Sequence, residues 1–259
     1  VGMLFTGCGG GNYAESDTLI LSAKDAISLL QGDNWILVDA QKTTSYEKEH
    51  IVGAVNIERA QITIKEPVPN TLAPKDVVAD ASGKAGLTEN DNVLIYDDNN
   101  NMDSGRLAWT LMVYGHKGEI RIVSGGLSAM REAGVEITSD ATTVTPASYT
   151  ASPKNNELIA DKERILSWVN NPTENVKILD VRTDEEYNAG TIPGSIHVNY
   201  LENNFPDGTY RPVQHIRICY KDVDIMPEDT VIIFCKSSIR AAQTFAALYN
   251  AGYRNLKVY

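Results

Sequence analysis

Short apolar runs rich in β-branched residues alternate along this chain with amphipathic stretches. Trp35-Ile36-Leu37-Val38-Asp39 and Val176-Lys177-Ile178-Leu179-Asp180 each end on an aspartate, the pattern of a buried strand with a polar end. Val93-Leu94-Ile95-Tyr96-Asp97 and Val231-Ile232-Ile233-Phe234-Cys235 have the same form. Ala23–Leu30 and Asp161–Val169 are amphipathic and predict helices, as do Arg106–Tyr114 and Arg240–Ala251 beyond the Asp97 and Cys235 loops. Strand alternating with helix predicts an α/β fold with a mostly parallel sheet flanked by helices. Ligands of such sheets gather beyond the carboxyl ends of the strands, where Asp97 and Cys235 both stand.

The pattern occurs twice. Tyr46-Glu47 followed by Ile51-Val52-Gly53-Ala54-Val55-Asn56 answers Glu186-Tyr187 followed by Ile192-Pro193-Gly194-Ser195-Ile196-His197. Glu119–Val123 answers Asn255–Val258, and Asp97 and Cys235 are each followed at similar distance by a glycine, Gly115 and Gly252. Matched landmarks at an offset of about 140 imply two copies of one domain. The expected organisation is a tether at 1–17, a first domain at 18–138, a polar, Pro-punctuated linker at 139–156 and a second domain at 157–259. The second copy reaches Tyr259 where the first goes on with Ser124-Gly125-Gly126-Leu127, so a further turn is expected after Tyr259.

Composition narrows the function. A chain of 259 residues with 42% hydrophobic content can build two cores. Thirty-four acidic against 23 basic residues give a net charge of −11, which argues against a nucleic-acid partner. No apolar run is long enough to cross a bilayer. Three cysteines form no paired framework, and their spacing is not that of a zinc site. The four histidines stand singly and are expected to be structural or surface residues; no metal or cofactor is expected. At the N-terminus, an apolar stretch runs to Gly7-Cys8 and then to Gly9-Gly10-Gly11-Asn12. That sequence resembles the end of a bacterial lipoprotein signal. Lipidation at Cys8, a flexible leash and a location in the bacterial cell envelope (periplasmic or otherwise extracytoplasmic) follow as expectations; the alternative is a cytoplasmic protein with an incidental tail.

Cys235-Lys236-Ser237-Ser238-Ile239-Arg240 is the most informative stretch. A buried strand delivers a cysteine to a short polar loop from which a helix starts, so loop amides and the helix N-terminus form an anion cradle. With Lys236 and Arg240 adjacent, that field favours the thiolate, a nucleophile facing an anionic substrate. Cys219, in Ile216-Arg217-Ile218-Cys219-Tyr220, has no such loop and reads as a structural thiol.

The duplication, Leu179-Asp180-Val181-Arg182, Ile192-Pro193-Gly194-Ser195 and Cys235 to Arg240 together resemble the tandem-domain rhodanese family, the thiosulfate and 3-mercaptopyruvate sulfurtransferases, over residues 18–259. The resemblance implies a rhodanese-like fold in both halves, a catalytic second half and a catalytically silent first half, with Asp97 at the position of Cys235. It implies that Cys235 takes sulfur from a small anionic donor as a persulfide and yields it to a thiol or cyanide. Substrate binding would fall to Arg182, Lys236, Ser237, Ser238, Ile239 and Arg240. An ordinary ion pair with Asp184 or Glu185 is the competing reading of Arg182. Lys236 followed by Ser237 and Ser238 mixes the loop of thiosulfate-specific members with that of mercaptopyruvate-specific ones and slightly favours thiosulfate. The acidic run Asp97–Asp103 would repel anions, and its spacing is not that of a calcium loop.

Two rival functions share the cysteine loop. Cysteine-dependent phosphatases place five residues between Cys and Arg; four separate Cys235 from Arg240, a smaller cradle that suits one sulfur atom better than a phosphate. A carrier or sensing module, in which Cys235 stores sulfur for a partner without turnover, is the other.

Overall fold

The computed structural model describes residues 12–32 and 34–259. The expected lipidation site Cys8 and the residues before it lie outside the described residues.

Each half is a parallel sheet flanked by helices. In the first, the strand order is Ile20–Leu21, Ile120–Val123, Asn92–Tyr96, Trp35–Asp39, Val55–Asn56. In the second it is Ile196–His197, Val176–Asp180, Thr230–Phe234, Leu256–Val258, and a single parallel bridge from Ile159 to Val258 stands where the first half has its edge strand. The central registers match: Asp39 lies beside Tyr96, and Asp180 beside Phe234. Each half therefore ends its two middle strands side by side, on an aspartate and on the residue just before Asp97 or Cys235. Continuous apolar runs suit these strands because both faces are covered by helices.

Local chemistry sets the helix starts. Asp161 accepts a hydrogen bond from the Arg164 amide at 2.8 Å and caps the helix Lys162–Asn170. Thr183 and Glu186 form a reciprocal capping box on Asp184–Ala189. The halves meet through Met102–Val113 and Ile239–Asn250, two almost wholly buried helices packed directly on each other. Close approach is possible because the crossing is lined by small residues. A Cβ on Gly105 would sit 3.0 Å from the Gln243 Cα.

The expectation of a free tether up to residue 17 is corrected for its described part. Tyr13 lies edge-on against Tyr253 and under the Arg217 guanidinium. The Ala14 amide donates to the Gly252 carbonyl and the Asp17 amide to that of Asn250, both at 2.9 Å. Gly252 allows this contact: its φ is +96°, and a Cβ there would lie 2.6 Å from the Ala14 carbonyl oxygen. The linker is likewise laid against the first half. Ala147, Ser152 and Asn155 donate their amides to Gly83, Tyr114 and Val113.

Candidate active site

The strand Thr230–Phe234 delivers a half-buried Cys235 into a loop of Lys236, Ser237 and Ser238. The helix Ile239–Asn250 begins directly after Ser238, whose φ of +62° is left-handed. A non-glycine residue in that region is held there by its surroundings. The Ser238 carbonyl accepts the Ala242 amide at 3.1 Å, and its hydroxyl donates to the Tyr259 carbonyl at 3.1 Å. Lys236 is exposed, and the Ile239 side chain is buried in the core. Ile239 can therefore offer a site only its backbone.

Arg240, in the first turn of the helix, forks onto Glu186: Nη1 to Oε2 at 2.5 Å and Nη2 to Oε1 at 3.0 Å. Its guanidinium also lies beside the Cys235 sulfur. The Glu186 bond, with that neighbour, raises the Arg240 pKa against the opposing pull of burial. The same fork holds the Glu186 carboxyl down at about 2, aided by the Thr183 amide. The sequence marks Glu186 as a landmark of the repeat and not as a site residue, because its partner is 54 positions away.

Arg182 takes a different place from an open anion-binding side chain. Its Nε donates to both oxygens of Asp180 at 2.9 and 3.1 Å, and its Nη2 to Asp180 at 2.5 Å and to the Gly190 carbonyl at 2.7 Å. The guanidinium is 5.7 Å above the Phe234 ring. Its partner is thus the aspartate of its own motif, not Asp184 or Glu185. Burial alone would raise the Asp180 carboxyl; the Arg182 and Thr191 hydrogen bonds hold it below its usual value. Arg182 thereby ties the end of one central strand to the turn at Gly190, next to the strand carrying Cys235. In the first half Gln41 occupies the corresponding place, and without a cation burial pushes Asp39 up to about 6.

The first half also reaches the cysteine loop. Asn70 donates its Nδ2 to the Ser237 hydroxyl at 3.3 Å. Its carbonyl accepts Nη2 of the buried Arg106 at 2.9 Å. A cleft of about 750 Å³ runs from Ala40 and Lys42 past Arg59 to Asn70. Sequence reading missed Asn70 and Arg106, which belong to the copy without the cysteine.

The first half's own cradle is closed by its aspartate. Asp97 is 1% exposed. Its Oδ1 accepts the amides of Asn99 and Asn101 at 3.0 and 3.1 Å, and its Oδ2 that of Ser104 at 2.7 Å. The carboxylate occupies the space an anionic ligand would need.

Cys219 sits in the last turn of the helix Val213–Lys221, half-buried, its thiol pKa pushed up by burial with Glu202 and Asp222 nearby. His50, His116 and His197 bond to backbone carbonyls, of Tyr46, Asp91 and Arg182, and His215 is exposed. No cluster of metal-ligating side chains occurs among the described residues.

The model of the rhodanese-like domain matches the chain twice, over residues 22–133 and 166–259. The chain belongs to the rhodanese family. Relatives of this tandem rhodanese include a provisionally named thiosulfate sulfurtransferase of Mycobacterium bovis, 26% identical over 95% of this chain and 93% of that one. A provisionally named 3-mercaptopyruvate sulfurtransferase of Schizosaccharomyces pombe is 29% identical over 75% of this chain and 70% of its own. The fold matches the crystal structure of SseA, a 3-mercaptopyruvate sulfurtransferase of Escherichia coli, with a TM-score of 0.82 at 20% identity, over 93% of this chain and 97% of that one. Two rhodanese domains with mostly parallel sheets, as the sequence pattern predicts, are thus shown.

The rhodanese loop is pinned by the Arg240–Glu186 fork, and this has a measurable consequence. A carboxyl at about 2 in the folded chain, against 4.5 for an unperturbed glutamate, contributes stability that is complete above 4.5 and lost as pH falls toward 2. Glu186→Gln keeps a residue able to complete the capping box but removes the charge. Thermal unfolding measured from pH 5 to 3 should fall less steeply for the variant than for the parent. Parallel curves would mean that the fork adds nothing to folding.

Proposed function

We propose that the protein is a sulfurtransferase that carries sulfane sulfur on Cys235. The thiolate attacks the outer sulfur of thiosulfate, a Cys–S bond forms, and the S–S bond breaks as sulfite leaves with the electron pair. With 3-mercaptopyruvate the C–S bond breaks instead, and pyruvate leaves after its carbon takes a proton. Cyanide or a thiolate then attacks the sulfane sulfur, and Cys235 departs as thiolate.

One observation carries this reading: Cys235 directly follows a central strand, in a short turn onto a helix N-terminus, with the Arg240 guanidinium alongside. Backbone amides of a short turn onto a helix N-terminus suit a small bound sulfur, because fixed donors need little reorganisation. Lys236 is the exposed cation at the mouth and the group available to an arriving anion. Arg182 and Arg240 serve by positioning, the first bracing the strand end and the second the loop. The short loop supports sulfur transfer over phosphate chemistry, as does the resemblance to named sulfurtransferases. Thiosulfate is the favoured donor because Lys236 meets a dianion.

Mass spectrometry of the purified protein, incubated separately with thiosulfate and with 3-mercaptopyruvate, tests this. The expected result is the mass of one added sulfur atom on the peptide containing Cys235, formed faster with thiosulfate, and its loss on adding cyanide. Sulfur found on Cys219, or on no cysteine with either donor, overturns the assignment. Persulfide that forms once and is not discharged by cyanide or any small thiol identifies a carrier.

A further inference from the structure

Arg106 stands in the first half, in the helix Met102–Val113 that packs against the cysteine helix. It is 1% exposed. Its Nη2 donates to the Asn70 carbonyl, while Nε and Nη1 have no partner, and the ring of Trp109 lies 4.9 Å from its Cζ. Among the described residues no carboxylate pairs with it. A buried, unpaired cation is costly to a fold and is normally answered by an anion. Asn70 links it directly to the catalytic loop, since the residue whose carbonyl takes Arg106 also donates to Ser237.

The surrounding charges are already matched, with one exception. Arg59 pairs with Asp103 at 2.7 Å, Arg240 with Glu186, and Lys236 is exposed to solvent. Tyr114, which also faces Arg106, donates its hydroxyl to the Ala73 carbonyl. That leaves Cys235. Burial pulls the Arg106 pKa down to about 10, and Cys235 acts on it in the opposite sense, as a negative partner does.

We propose that Arg106 is the buried counter-cation of the Cys235 thiolate and of its persulfide, so that the first half supplies a charge the second half's chemistry uses. This deepens the sulfur-transfer reading and rests on Cys235 as the nucleophile. Arg106 acts here as a positioning residue, through the field of its charge in a dry interface, where such a field is strong.

The test uses alkylation, which needs no sulfur donor, in a full-length Cys8→Ser, Cys219→Ser background. In Arg106→Met the rate of iodoacetamide labelling of Cys235 at neutral pH should fall about tenfold, with the pH profile displaced to the alkaline side. Its melting temperature should be unchanged or higher, because the unpaired buried charge is gone. Arg106→Lys keeps the charge and should label within about threefold of the parent. Labelling in Arg106→Met at the parent rate and with the parent pH profile overturns the proposal. So does a tenfold loss in Arg106→Lys, which also decides the matter if the Met variant does not fold. Failure of the parent to form a persulfide would sink the sulfur-transfer reading and leave this measurement standing.

Discussion

Replacing Cys235 with serine is expected to remove sulfur transfer, a loss on the order of a thousand-fold or more, while Cys219→Ser keeps most of the activity. The hydroxyl that replaces the thiol stays protonated at neutral pH and cannot accept sulfane sulfur reversibly. Position separates the two cysteines as firmly as chemistry does. Cys235 faces a loop built around a helix N-terminus, with Arg240 alongside. Cys219 lies in the last turn of a helix, and burial, with Glu202 and Asp222 nearby, disfavours its thiolate. Thiocyanate formation from thiosulfate and cyanide reads the effect, and circular dichroism shows that each variant is folded. A folded Cys235→Ser protein that still turns over would sink the mechanism.

How much of this could be read from the chain depended on whether the signal was local. The central strands were legible to within a residue, because a fully buried strand writes a continuous apolar run that stops at a polar end. Trp35–Asp39 and Val176–Asp180 are the strands the pattern predicts. The helix after Asp97 was read four residues short. Met102-Asp103-Ser104-Gly105 has a loop's composition, yet it forms the first turn, buried against the second half. That burial is invisible without the partner helix. The same limit hid Asn70 and Arg106, which act across the interface, and the role of Glu186, whose partner lies in the first turn of the helix after the cysteine loop. Asn70 sits between the two-residue strands Thr63–Ile64 and Thr71–Leu72, too short to leave a periodicity. The Asp180-Val181-Arg182 motif could be seen in the sequence, but not that its arginine turns back onto its aspartate.

Asp97→Ala is expected to destabilise the protein by about 3 kcal/mol, although the Asp97 carboxylate makes no hydrogen bond to the Cys235 loop. Three backbone amides, of Asn99, Asn101 and Ser104, converge on its carboxylate. Each buried donor left without an acceptor costs about 1–3 kcal/mol. Part of that sum is offset, since burial raises the Asp97 pKa and the charged form is therefore held at some expense. The loop concerned is also an anchor between the halves. Asn101, left-handed at φ +61°, donates its side-chain amide to the Gly208 carbonyl at 2.7 Å, so loosening the loop frees a contact between the halves as well. For a chain of this size the loss corresponds to a drop of about 6–12 °C in melting temperature. The cradle gives the experiment a second arm. Once the side chain is truncated, the amides are free to take a small carboxylate, and formate should restore part of the lost stability to Asp97→Ala and none to the parent. A variant as stable as the parent would show that the carboxylate fills the first cradle without holding it together. A full loss that formate leaves untouched would place the stabilisation elsewhere in the acidic loop, with Asp103 and its pairing to Arg59 the next residues to test.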